Sequence, residues 1–255
     1  MDGFSDRRDA GRRLGRLLAA SDLGDDLVVL GLPRGGRAVA AEVALALDAP
    51  LDVVIVRRLD LPGAPESAMG ALAEEDVRDV DWDLVERLGL SIRDFSAVER
   101  LERDRLDERI ADYRVDHPST DLTGRTALIV DDILSTGATA RAAVETVRRR
   151  GAARIIVAVP VGALDADRLV PGADAVYCLR RPEPLGAVGD YYRDDRPDAQ
   201  DDPDLDRAAT EERRAQPVTG SPVGRESRAW SGSRHRDQAM PIAATPRMNT
   251  AIATM

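Results

Sequence analysis

Two adjacent carboxylates, Asp131 and Asp132, follow the apolar run ALIV (127–130) and precede the small, hydroxyl-rich turn STGAT (135–139). Residue types in that order suit a sugar phosphate. The apolar run reads as a strand that fixes a loop at the carboxyl edge of a sheet, where open α/β folds bind ligands. Backbone N–H groups of Ser135, Thr136, Gly137, Ala138 and Thr139, opening a helix, converge on one spot and favour an anion there. The hydroxyls of Ser135, Thr136 and Thr139 add donors. Gly137 lets the backbone approach a phosphate without a Cβ in the way. The carboxylate pair can accept hydrogen bonds from the vicinal hydroxyls of a ribose, or hold a magnesium ion directly or through water.

The elements that must position this set alternate between strand and helix. LVVLGL (27–32) is a short apolar run ending in the turn PRGG (33–36), after which RAVAAEVALALD reads as a helix. LDVVIV (51–56) is a second strand, ending in Arg57-Arg58 and the Pro/Gly-rich loop LDLPGAPESAMG (59–70). TALIVD (126–131) is a third, followed by a helix that stops at Gly151; RIIVAVPV (154–161) and AVYCL (175–179) are two more. Apolar runs of this kind, with little alternation, are strands buried on both faces. Helices between them imply right-handed crossovers and a mainly parallel sheet, so the fold class is α/β. Between the second and third strands, residues 90–114 place Phe95, Val98, Leu101, Leu106 and Ile110 at roughly helical spacing among mixed charges. That is an amphipathic helix, packed on the sheet or on a second subunit. The domain is expected to span 1–193. Residues 194–255 read as an acidic, proline-containing linker and an aperiodic tail that cannot bury a core.

The formal net charge is −10, and all 36 Lys/Arg-class side chains are arginine. An acidic chain argues against a dedicated nucleic-acid binder, which presents a basic face. No apolar run approaches the roughly 18 residues that a membrane helix needs. The N-terminal stretch mixes aspartates with arginines and has no apolar segment with a cleavage site, so it reads as a soluble helix. Cys178 is the only cysteine, which excludes an intrachain disulfide or a cysteine-rich zinc site and fits a reducing, cytoplasmic setting. On a buried strand it reads as inert core. His117, before a proline, and His235, in the tail, are poor proton shuttles.

ALIVDDILSTGAT resembles the signature of the type I phosphoribosyltransferases, which bind 5-phosphoribosyl 1-diphosphate (PRPP). The resemblance extends from about Leu27 to Tyr192. PRGG falls where that family has its diphosphate-binding loop, VVIVRRLDLPG (53–63) resembles the basic entry to its flexible loop, and EPLGAVGDYY (183–192) sits where its small C-terminal hood begins. PRGG, PESAMGALAE and EPLGAVGDYY together are similar to a bacterial and archaeal branch of predicted phosphoribosyltransferases. In that branch the second strand usually ends Arg-Lys, here Arg57-Arg58, and an aromatic Asp-Phe segment follows the hood, here RDDRPD.

The resemblance implies a Mg2+-dependent transfer of the phosphoribosyl group from PRPP to a nucleobase or related nitrogen acceptor, with diphosphate released. The 5′-phosphate would sit on residues 135–139, with Asp131 and Asp132 on the ribose hydroxyls and the magnesium. Arg34 and the N–H groups of Gly35 and Gly36 would hold the leaving diphosphate, with Arg57 and Arg58 adding positive charge. On a strand, neighbouring residues point opposite ways, so one of these two arginines is expected to be structural. Tyr191 and Tyr192 could stack on a base or simply pack. Ser135 stands where 6-oxopurine enzymes usually carry an aspartate, which disfavours hypoxanthine and guanine. A homodimer is implied, with helix 90–114 a candidate interface; neither nucleic acid nor membrane is an expected partner. The rival reading is a PRPP-binding regulatory or sensor protein without catalysis. A dinucleotide-binding domain built on GLPRGG fits poorly, because its glycine spacing is not GxGxxG and the acidic pair would go unexplained.

Overall fold

The computed structural model of the chain describes residues 3–33, 35–61 and 64–195, of which residues 64–67 are described through their backbone alone. The expectations for Arg34 and for residues 196–255 lie outside the described residues.

Helix α1 (Arg7–Ala19) precedes β1 (Leu27–Gly31), α2 (Gly36–Leu47) and β2 (Leu51–Val53). A second group follows: β3 (Val56–Leu61), β4 (Ala64–Ala73), β5 (Val77–Val80), α3 (Trp82–Arg87) and α4 (Ile92–Asp116). The chain returns through β6 (Thr126–Val130), β7 (Ile133–Leu134), α5 (Ala138–Arg149), β8 (Arg154–Gly162), α6 (Ala166–Leu169) and β9 (Ala175–Arg180), and a 3-10 turn covers Val188–Tyr191. The main sheet runs β2-β1-β6-β8-β7 with β9 on the other side of β8, and every pairing in it is parallel. The α/β class and the parallel sheet are therefore as the apolar runs implied.

Alternation along the central strands explains why both faces are covered. Val28, Leu30, Ala127, Ile129, Ile155 and Val157 point to the face packed by α5, while Val29, Leu128, Val130, Ile156 and Ala158 point to the face packed by α1 and α2. Both sets are apolar, so burial on the two sides drives the same strands into the middle of a three-layer sandwich. The last strand departs from this expectation. β9 pairs with β8 alone and is half-buried along its whole length, Cys178 included. Burial still pushes the Cys178 thiol pKa up, consistent with an unreactive side chain.

The expected second strand, 51–56, is divided between two sheets. Register with β1 ends at Val53, and the chain then enters an antiparallel β3-β4-β5 sheet. The segment 59–70, expected as a loop, supplies much of β3 and β4. Its composition misled because Ala and Gly are poor strand formers on their own. They are required here by close packing: a Cβ on Gly70 would overlap the Asp79 carbonyl of the neighbouring strand.

Helix α4 packs on this second sheet. Ser91 caps it, its Oγ accepting from Asp94 N at 3.2 Å. Phe95 and Leu106 are buried against Val53, Ile55, Leu59, Met69 and Leu72, with Val98 and Ile110 partly covered. Leu101, expected on that face, is half-exposed instead. The C-terminal end of α4 is held by charge. Arg114 donates to Asp52 Oδ1 at 2.9 Å, to both Glu74 oxygens at 3.0 and 2.9 Å, and to the Val53 carbonyl at 2.9 Å. Burial alone would raise both carboxyl pKa values. It does so for Glu74, whereas the Thr120 N–H and Arg114 hold Asp52 below its ordinary range.

Arg114→Met would strand Asp52 and Glu74, which are 6% and 5% exposed, with their main cation gone. Breaking a buried pair from one side costs about 3–5 kcal/mol. Urea unfolding should show a loss of that size; a loss below about 1 kcal/mol would mean that the cluster is solvated.

Candidate functional site

β1 and β6 lie side by side, and each ends in a turn that opens a helix. After β1, residues 32–35 lead into α2; after β6, residues 131–137 lead into α5. The other two long helices are capped by side chains, Asp6 on α1 and Ser91 on α4. The N-caps of α2 and α5 are Gly35 and Gly137, both with positive φ and neither with a side-chain cap. Two helix N-termini thus keep their first N–H groups for something other than the protein's own side chains.

Asp131 and Asp132 occupy the short break between β6 and β7, both of which pair with β8 in unbroken step. The turn after β1 is pressed against them. A Cβ on Gly35 would overlap the Asp132 carboxylate, and one on Gly36 would lie 2.8 Å from Asp131 Oδ1. The glycines are therefore a steric condition for bringing the two turns together.

A cavity of about 470 Å³ opens at this edge of the sheet. Asp131, Asp132, all of Ser135 to Thr139, Arg57 and Arg58 line it, together with Leu32, Pro33 and Val56. Gly35 and Gly36 pack directly against the two carboxylates. Burial raises both aspartates' pKa values. For Asp131 the charge of Asp132 pushes the same way, leaving it well above the usual carboxylate range, whereas for Asp132 Arg7 works against the rise. Arg7 Nε donates to Asp132 Oδ2 at 2.8 Å, and the Tyr192 hydroxyl donates to the Asp132 carbonyl at 2.7 Å.

The loop 135–139 is held from behind by Arg141. Its guanidinium pairs with Asp79 at 2.9 Å and donates to the carbonyls of Thr136 at 2.9 Å and Leu169 at 3.2 Å. With the Thr136 carbonyl turned toward Arg141, Ser135 and Thr136 stay exposed on the cavity side. Sequence reading missed Arg141, although its place one turn into the helix after Gly137 marks it as able to reach back over that loop.

Both Arg57 and Arg58 line the cavity. Arg57 is tied to Glu102 of α4 at 2.6 and 2.9 Å, and Arg58 to Asp60 at 2.9 Å. Glu102 also accepts from Arg105 at 2.6 Å, and Glu102, Arg105 and Asp60 all line the cavity. Helix α4, read from sequence as a packing helix, thus also builds the far wall. Its charged residues carried no distinguishing signal, because the same mixture covers its solvent face. Of the two tyrosines, Tyr192 is buried against Phe4 at 5.7 Å, and the Tyr191 hydroxyl accepts from Gly186 N at 2.7 Å. Neither lines the cavity, so the packing alternative describes both.

Gly35→Ala should disturb this arrangement through both its φ of 102° and the overlap with Asp132, whereas Gly124→Ala, at φ 74° with nothing within 4 Å, incurs a backbone cost alone. The control should lose about 1–2 kcal/mol in thermal unfolding. The site variant should lose clearly more; equal losses would show that the Gly35 turn can move away from Asp132.

The sequence model of the phosphoribosyl transferase domain matches residues 9–189. A protein of Mycobacterium tuberculosis (strain CDC 1551 / Oshkosh), itself named a phosphoribosyl transferase by inference only, is 47% identical over 191 residues, covering 74% of this chain and 43% of its own length. The chain thus spans less than half the length of that curated relative. The crystal structure of TT1426 from Thermus thermophilus is 38% identical, with a TM-score of 0.60 over 76% of this chain and 91% of that one. No helix among the described residues is long and apolar enough to cross a membrane. With the match running through β1, the acidic pair and the 135–139 turn, the chain belongs to the phosphoribosyl transferase domain family.

Proposed function

We propose that the chain transfers the 5-phosphoribosyl group of PRPP to a nitrogen acceptor, a nucleobase or a relative of one, releasing diphosphate. The observation that carries this reading is the pair of glycine-capped helix N-termini bracketing two adjacent carboxylates at the ends of neighbouring parallel strands. A sugar bearing phosphate at one end and diphosphate at the other suits two such anion sites on either side of a hydroxyl-accepting centre. The 5′-phosphate rests on residues 135–139. Asp131 and Asp132 accept from the ribose hydroxyls, and the N–H groups of Gly35 and Gly36, with Arg34, take the diphosphate.

As the bond from the anomeric carbon to diphosphate breaks, its electron pair leaves with the diphosphate and the sugar gains oxocarbenium character. The acceptor nitrogen then closes on the opposite face, with inversion, as the acceptor gives up a proton to water or to the released diphosphate. Catalysis of this kind is positioning plus stabilisation of the leaving charge. Arg57 and Arg58 are suited to the second task. Arg57 rests on Glu102 and Arg58 on Asp60, carboxylates with which a multiply charged diphosphate can compete.

Among the described residues no three acidic, imidazole or thiol groups cluster around a metal site. Two adjacent carboxylates, Asp131 and Asp132, are oxygen donors of the kind that would hold a magnesium ion, with most of its other ligands coming from substrate and water. The elevated Asp131 carboxyl is a group whose ionised form such a cation would favour. The ion's contribution would be to neutralise diphosphate charge.

A second reading, PRPP binding without transfer, draws support from the cavity wall, which has no aromatic residue among those described on which a base could stack. Diphosphate release from Mg–PRPP, measured against a panel of nucleobases at low and high potassium chloride, separates the two. Release that depends on one base establishes the transferase; PRPP binding with no release for any base favours the sensor. In the transferase, Asp131→Asn with Asp132→Asn should abolish release while unfolding stays cooperative. Undiminished release would remove both residues from the mechanism.

A further inference from the structure

We propose that Arg7 is a positioning residue for the acidic pair, and that through it residues 192–195 become part of the site; this rests on the PRPP-binding reading above. Arg7, Gly11 and Gly15 recur every fourth residue and share one stripe of α1. That stripe lies along α2 in parallel. A Cβ on Gly11 would sit 2.7 Å from the Val39 carbonyl, and one on Gly15 would sit 2.6 Å from Cβ of Ala46. Nothing larger than glycine allows the two helices to approach so closely. One turn earlier on both helices, the stripe reaches Arg7 and the N-cap Gly35, where a Cβ would lie 2.8 Å from Arg7 Nε. Helix packing, not local sequence, aims the guanidinium at Asp132.

The guanidinium is used on every side. Its Nε donates to Asp132 Oδ2 at 2.8 Å, its Nη2 to Asp195 Oδ1 at 2.8 Å and its Nη1 to the Asp195 carbonyl at 3.2 Å. It also lies over the Tyr192 ring, 5.0 Å from the centroid. Asp132 is therefore fixed at both ends, its carboxylate by Arg7 and its carbonyl by Tyr192, and these two groups are stacked on each other. Arg7 is 10% exposed and does not line the cavity. It is the ion-pairing partner of Asp132, and no described cationic side chain forms an ion pair with Asp131. One fixed cation holds one carboxylate of the pair in place, and the cavity-facing geometry of both follows from it. The departure RDDRPD acquires a purpose in this arrangement, since Asp195 belongs to it.

The test titrates Mg–PRPP calorimetrically into the full chain and into Arg7→Gln, Arg7→Lys and Asp195→Asn. Arg16→Gln, on an exposed position of the same helix, is the control. Supporting groups of this kind are worth about 10–100-fold. Arg7→Gln should weaken binding by about that factor, Arg7→Lys by less, and Asp195→Asn by a few-fold, with the control unchanged. In turnover the KM for PRPP should rise while the KM for the acceptor stays put, a split that general loosening of the fold does not produce. Wild-type affinity in a folded Arg7→Gln would reduce Arg7 to a packing residue. If that variant does not fold, wild-type affinity in both Arg7→Lys and Asp195→Asn overturns the proposal equally. An unsubstituted chain that fails to bind Mg–PRPP overturns the PRPP reading itself; binding that ignores all the substitutions overturns only the role of Arg7.

Discussion

The structure depends on how closely the turn after β1 approaches the carboxylates after β6. Two aspartates in sequence, drawn into a half-buried break between strands, are costly to keep ionised, since burial raises the pKa of both and the charge of Asp132 raises that of Asp131 further. The molecule offsets that cost with groups brought from elsewhere. The N-terminus of α2 comes close only because Gly35 and Gly36 carry no Cβ, and the Arg7 guanidinium arrives only because Gly11 and Gly15 let α1 lie on α2. Remove the close approach at either place and the charge is left buried without a partner.

Around that centre the two sheets divide the work. The parallel sheet, apolar on both faces, fixes where the acidic pair and both helix N-termini stand. The antiparallel sheet and α4 bring a wall of charge. Arg57 and Arg105 share Glu102, Arg58 pairs with Asp60, and all five side chains belong to residues that line the cavity. The Asp52, Glu74 and Arg114 cluster ties the end of α4 to β2 and β4 with charge-assisted hydrogen bonds inside the protein. Partly buried and exposed pairs sit at the cavity end, and the most deeply buried carboxylates, Asp52 and Glu74, sit at the far end.

Much of the parallel sheet was legible because its signal is carried by adjacent residues. ALIV, RIIVAVPV and LVVL are runs that only a strand covered on both faces would use, and the helices between them leave one handedness of connection. The turn STGAT and its acidic pair were legible for the same reason, since strand, loop and helix N-terminus are contiguous. Segment 59–70 was misread because its glycines and alanines look like a loop until the neighbouring strand is present to require them. Leu101 is half-exposed because, at about 100° per residue, it lies to one side of the face that Phe95, Leu106 and Ile110 share.

By itself, then, the sequence determined the α/β class, the order of the parallel strands' turns and the strand–turn–helix segment that lines the cavity, all of them local patterns of period and residue type. Tertiary structure alone decided that Arg7, 125 residues away, is the cation on Asp132, that Glu102 and Arg105 face the cavity, and that neither Tyr191 nor Tyr192 lines it. Those outcomes depend on which helix faces meet. A guanidinium or a carboxylate on a charged helix looks the same in sequence whether it meets solvent or a partner across the fold.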